Sequence, residues 1–145
     1  MILDVKDLVK KYKRGEKEFY AVDHVIFSLE EGSFTVIMGE SGCGKSTLFH
    51  LLTGMCRADE GTITFQRKEL TRIGAKELAK LRSTDIGYIL QGQNLLYNFN
   101  IVENICMPGY LGVMTPDIGA YAKQLLDVIF CERKEWIGIE ERSSA

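Results

Sequence analysis

The first third of the chain carries its apolar residues in short runs. Residues 1–5, 25–29 and 34–38 are rich in β-branched and large apolar side chains, which predicts strands. Glu30, Glu31 and Gly32 separate the last two and predict a turn. Residues 12–19 are polar and charged and predict a loop. From residue 45 the spacing becomes helical. Residues 45–53 place Leu48, Leu51 and Leu52 on one face, and Gly54 predicts the stop. Asp59, Glu60 and Gly61 predict a turn into a strand at 62–65. Leu78 and Leu81 mark a helix over 75–82, and residues 86–90 predict another short strand. Residues 102–105 predict the start of a helix that Pro108 and Gly109 end. Asp117, after Pro116, predicts the cap of a helix running through residue 126 toward 130, with Tyr121, Leu125 and Val128 on its apolar face.

Composition narrows the class. The 145 residues are 46% hydrophobic and 26% charged, which excludes disordered, collagenous and membrane-spanning compositions. Eighteen basic against 20 acidic residues give a net charge of −2, and a charge-driven nucleic-acid binder is more basic than that. The start of the chain lacks the basic and apolar regions of a signal peptide. Cys43, Cys56, Cys106 and Cys131 form no CxxC pair, which argues against zinc or a redox dithiol and suits a reducing cytoplasm. His24 and His50 are too far apart in sequence to suggest a clustered metal site. The basic group Lys10, Lys11, Lys13 and Arg14 reads as a solvated face.

The strongest chemistry lies between the third predicted strand and the first predicted helix. Gly39, Glu40, Ser41, Gly42, Cys43, Gly44, Lys45 and Ser46 match the GxxxxGK[ST] phosphate loop at every fixed position. Glycines let backbone N–H groups approach phosphate closely, and a helix N-terminus adds partial positive charge. Lys45 is placed to reach the β- and γ-phosphates, and Ser46 to offer its hydroxyl to Mg²⁺. This pattern alone does not separate ATPases, GTPases and kinases. Cys43 reads as a small residue filling a tight turn.

The phrase GESGCGKSTL and the later ELAKLRSTDIGYILQGQNLLYNFNIVENI resemble the ATP-binding subunits of ABC transporters. Within them the likeness is to the group serving lipoprotein release, macrolide or antimicrobial-peptide export and cell-division complexes. It rests on Gln91, then Asn94, Leu95 and Leu96, then Glu103 and Asn104, and runs from about residue 1 to residue 126. The resemblance implies an α/β fold of the P-loop NTPase type, incomplete here. Residues 1–100 would form a β-rich nucleotide-binding part with phosphate loop and Q-loop, and 101–145 the start of a helical subdomain. It implies that Tyr12 stacks on the adenine of ATP and that Gly39 through Thr47 hold the phosphates. Ser46 and Gln91 would bind Mg²⁺, and Gln91 together with Lys45 would serve hydrolysis, Gln91 by positioning water. It further implies a membrane permease facing residues 94–105, a second ATP-binding subunit in a head-to-tail dimer, and a cytoplasmic, peripheral place on the inner face of the cell membrane. Three stretches depart from the pattern. Gly92 and Gln93 replace a usual aromatic, Tyr97 and Asn98 stand where proline is common, and residues 65–68 lack the usual glycine.

The family also uses an LSGGQ-type signature, an apolar strand ending in Asp-Glu, and a later histidine, none of which occurs in these 145 residues. Residues 137–142 resemble a segment that precedes the signature, with 130–136 standing as an insertion before it. The expectation is the front half of a larger ATPase domain, which binds MgATP but does not hydrolyse it alone. The alternative is a non-catalytic nucleotide-binding or interaction fragment. An unrelated kinase or GTPase is disfavoured by the Gln91 segment and by the lack of a guanine-reading NKxD. The resemblance places 34–38 in the middle of a parallel sheet whose partners lie outside this stretch, which predicts marginal stability for the chain alone.

Overall fold

A long antiparallel ribbon organises the first part of the computed structural model, which describes residues 1–92, 94–111 and 117–129. Strand β1 (Leu3–Arg14) turns through Gly15 and Glu16 into β2 (Lys17–Leu29), with Gly15 in the left-handed region at φ 65°. The loop predicted over residues 12–19 is therefore a hairpin end. Its polarity misleads because at this end the strands bury no side chain and are held across the ribbon. Tyr12 faces Phe19, and Lys13 pairs with Glu18 at 3.4 Å. On its other edge β1 pairs with β3 (Glu60–Phe65), which pairs with the short β4 (Lys68–Glu69), so the sheet order is β2-β1-β3-β4.

The ribbon is not regular. Between the pairs Val5↔Phe27 and Leu8↔Val25, β1 carries one residue more than β2. Between Leu8↔Val25 and Lys10↔Val22, β2 carries the extra residue, and between Lys10↔Val22 and Lys11↔Tyr20 the extra residue is Ala21. These are β-bulges, which redirect the groups beside them. Asp7 (φ 49°) and His24 (φ 46°) sit at the first two, and His24 Nδ1 lies 2.6 Å from Asp7 Oδ1.

This pair has a pH signature. The Asp7 hydrogen bond and charge, with smaller contributions from Asp23 and Glu60, raise the His24 pKa above its ordinary value near 6.5. A raised pKa means that the pair's contribution is complete below the unfolded value and is lost as pH rises through the folded one. The urea midpoint of the wild type is therefore expected to be higher at pH 6 than at pH 8, by an increment that His24→Asn removes. Asparagine is chosen because it tolerates the left-handed backbone. An identical pH profile for both proteins refutes this.

Helix α1 (Lys45–Leu52) packs Leu48 and Leu51 into the core beside Val5, Leu8 and Val9 of β1 and Ile63 of β3. Its end follows the glycine rule. Gly54 (φ 65°) donates to Leu51 O at 3.0 Å and Met55 N to His50 O at 2.8 Å, a Schellman closure. Helix α2 (Ala75–Thr84) follows β4, its Leu78 and Leu81 buried, and Arg82 donates to Gly54 O at 3.1 Å. Residues 34–38 form no strand among the described residues, and Phe34, Val36 and Met38 are exposed. Their composition suits a strand, but a strand exists only with a hydrogen-bonded neighbour, and no described segment supplies one.

The chain divides into two compact units, Met1–Arg82 and Ser83–Ala145. In the second, residues 86–90 likewise form no strand, for the same reason, with Ile89 fully in solvent. Helix α3 (Ile101–Leu111) begins with a reciprocal cap. Asn100 Oδ1 accepts from Glu103 N at 2.9 Å, and Glu103 Oε2 accepts from Asn100 N at 2.8 Å. The helix was predicted to end at Pro108 and Gly109 but continues to Leu111. Packing against α4 (Ile118–Ile129), where Cys106 is buried, outweighs the hydrogen bond that proline removes. Asp117 caps α4 as predicted, its Oδ1 accepting from Ala120 N at 3.0 Å. Gln93, Cys131 and the sequence features of 130–142 lie outside the described residues.

Candidate functional site

The phosphate loop joins residues 34–38 to α1 within the first unit. Its conformation explains its glycines. Gly44 is the N-cap of α1 at φ 96°, and a Cβ there would stand 1.9 Å from the Ala21 carbonyl oxygen. Ala21 is the bulged residue of β2, so the irregularity of the ribbon and the glycine of the loop are two sides of one contact. Gly42 is left-handed too (φ 82°) but open on its Cβ side, and a Cβ on Gly39 would meet Cys43 Sγ at 2.7 Å. Cys43 N donates to Glu40 O at 3.3 Å and closes the turn.

Lys45 folds back across this turn. Its Nζ donates to Gly39 O at 2.8 Å and Glu40 O at 2.7 Å and lies 3.5 Å from Cys43 Sγ. The first turn of α1 has no side-chain cap, and the helical ladder starts with Leu48 N donating to Gly44 O at 2.9 Å. The N–H groups of Lys45, Ser46 and Thr47 therefore precede the ladder, at the positive end of the helix dipole. Ser46 is exposed there and Thr47 half-buried. An ammonium, free amide donors and a hydroxyl on a glycine turn suit a polyphosphate anion. A Ser hydroxyl also suits a hard cation such as Mg²⁺. Among the described residues no group of three or more His, Cys, Asp or Glu could hold a metal, so a magnesium ion here would lean on phosphate oxygens and Ser46.

Tyr12 lies in the same unit, on β1 rather than in a loop. Phe19 and Lys10 flank it; the sequence pattern puts Phe19 in a loop and Lys10 on a solvated face, and assigns neither to the site. Lys10 Nζ is 5.6 Å from the Tyr12 ring centre and is held by Asp59 at 3.0 Å. Asp59 also accepts from Lys11 N at 2.7 Å, and that backbone bond, ahead of Lys10, holds its carboxyl below the usual carboxylate range. Burial pushes the Cys56 thiol up. The missed signal was the turn at Gly15, which makes Tyr12 and Phe19 cross-strand neighbours. Gln91 belongs to the second unit, exposed in the stretch between α2 and α3.

Residues 22–142 match the ABC transporter family. The chain belongs to the ABC transporter ATP-binding family. Among curated relatives, an uncharacterised ABC transporter ATP-binding protein of Thermotoga maritima is 35% identical over 88% of this chain and 55% of its own. The lipoprotein-releasing system ATP-binding protein LolD of Buchnera aphidicola is 37% identical over 77% of this chain and 48% of its own. This ABC chain thus spans about half the length of the curated relatives it matches. Among solved structures, the ATP-binding cassette MJ0796, captured as a post-hydrolysis dimer with ADP and Pi, superposes with a TM-score of 0.80 at 30% identity. The match covers 87% of this chain and 56% of that one. The α/β P-loop NTPase fold expected of an ABC cassette is the fold observed, in the part this chain covers. Among the described residues no helix is long and apolar enough to cross a membrane.

Proposed function

We propose that this chain is the nucleotide-gripping part of an ATP-binding subunit of the lipoprotein-release type, which powers a membrane permease by ATP binding and hydrolysis. The observation that carries the reading is the Lys45 ammonium, braced by Gly39 O and Glu40 O across the glycine turn at the start of α1. In this reading the N–H groups and Lys45 bind the phosphates of ATP. Ser46 and Gln91 hold Mg²⁺, which when bound offsets phosphate charge, and Gln91 orients water. Tyr12 stacks on the adenine. Residues 94–105 face the permease, where Leu95 and Tyr97 are exposed. A second such subunit completes the site head-to-tail, as the dimeric relative suggests, and the assembly sits on the inner face of the cell membrane. Without signature, Asp-Glu strand or later histidine in these residues, the chain by itself binds MgATP without turnover.

Cys43 reports on this. Its exposed thiol sits in the turn that phosphate would cover. Saturating MgATP is expected to slow its alkylation about tenfold or more, as occupancy excludes the reagent. Magnesium chloride alone, with the Cys43 peptide followed by mass analysis, serves as the control. Equal Cys43 rates with and without MgATP overturn the reading.

A further inference from the structure

Tyr12 does not stand alone on the ribbon. Phe19 is its direct cross-strand partner, with ring centres 5.9 Å apart and planes inclined by 34°. Both rings keep an open surface, Tyr12 at 39% and Phe19 at 47% exposure. Directly opposite residues give the closest side-chain contact an antiparallel pair offers. A lone tyrosine near the end of an exposed hairpin would exchange rotamers freely. Here the Phe19 ring flanks it and the Lys10 ammonium lies over it. Two residues along β2 from Phe19 comes Ala21, whose carbonyl abuts Gly44 of the phosphate loop. About 7 Å of strand therefore links the aromatic pair to the phosphate loop.

We propose that Phe19 is a positioning residue for the nucleotide base, holding the Tyr12 ring in the orientation on which a purine stacks while the phosphate loop holds the other end. This rests on the nucleotide-binding reading above. The pair offers ring surface, so what it recognises is a flat aromatic heterocycle carried on a polyphosphate.

The test compares two ligands of the full chain by calorimetry, MgATP and magnesium tripolyphosphate, which lacks a base. Phe19→Ala is expected to weaken MgATP roughly two- to tenfold, the range of an aromatic pair contact, and to leave tripolyphosphate unchanged. Phe19→Tyr restores MgATP affinity. In a Tyr12→Ala background Phe19→Ala adds little, because the two act as one unit. Phe19→Leu, which keeps apolar bulk without a ring, gives the same selective loss should the alanine variant fold poorly. Equal weakening of both ligands would show a merely structural role and overturn the proposal. So would unchanged MgATP affinity alongside a selective loss in Tyr12→Ala, which leaves the nucleotide reading standing. Absence of binding of either ligand by the wild type overturns both.

Discussion

Lys45→Ala is expected to weaken MgATP binding by at least about 100-fold, beyond detection in an ordinary calorimetric titration. The reasoning starts from the donor count. An ammonium has three N–H groups, and here Gly39 O and Glu40 O take two at 2.8 and 2.7 Å. The third neighbour is the Cys43 sulfur at 3.5 Å, the weakest acceptor of the three and the contact a phosphate oxygen would replace. Truncation removes the charge that meets the phosphates and also unties two carbonyls that shape the turn. A hydrogen bond to a charged group contributes about 1.5–3 kcal/mol, so the lost ammonium–phosphate bond supplies most of the roughly 2.7 kcal/mol that a 100-fold loss needs, and the untied turn adds to it. Lys45→Met isolates the ammonium from the stem, since it keeps the apolar length but has neither the charge nor the N–H donors. Circular dichroism should show both variants folded. MgATP affinity within threefold of wild type in Lys45→Ala would remove the phosphate loop from the function.

The second large effect concerns Gly44. An alanine there must adopt φ 96° and place its Cβ 1.9 Å from the Ala21 carbonyl oxygen. The left-handed backbone costs about 1–2 kcal/mol, and forced overlap in a packed site about 1–3 kcal/mol more. Because the obstacle is backbone within a sheet, the loop must leave β2 or the ribbon must bend. Gly42→Ala is the matched control, with a similar φ of 82° and nothing within 4 Å of its Cβ. Urea unfolding is expected to show Gly44→Ala losing roughly 2–5 kcal/mol and Gly42→Ala only the conformational share. Equal losses would mean that contact with Ala21 does not constrain the loop.

These two positions also show what a sequence discloses and what it does not. The phosphate loop is legible because its chemistry is backbone chemistry. Left-handed glycines, a reaching lysine and a helix start must fall at fixed spacing, and here they do. Asp117 and Gly54 were legible for the same reason, each answering a local demand of a helix end. The hairpin from Tyr12 to Phe19 was hidden because exposed strands carry the polar residues of a loop, and their order comes from the partner strand. The reciprocal cap of Asn100 and Glu103 has its own local signature, an N-x-x-E spacing. Residues 34–38 and 86–90 have strand composition, but strand formation depends on distant partners that local pattern cannot supply. Pro108 misled in the other direction, since packing of α3 on α4 carries the helix past it.

The bulge at Ala21 governs how the ribbon can change in length. Side chains of a strand alternate between faces, so the extra residue there reverses the phase of everything between it and the turn. Removing one residue between Val22 and Phe19 would restore a regular ladder, yet it would withdraw the carbonyl that Gly44 is built around. A residue added to one arm alone, without a compensating bulge, would move Phe19 off its rung opposite Tyr12. Lengthening or shortening both arms together by pairs of residues beyond Tyr12 and Phe19 leaves both relations intact. The hairpin tip is thus free to vary in steps of two, while the rungs from Tyr12 to Val22 admit no odd insertion.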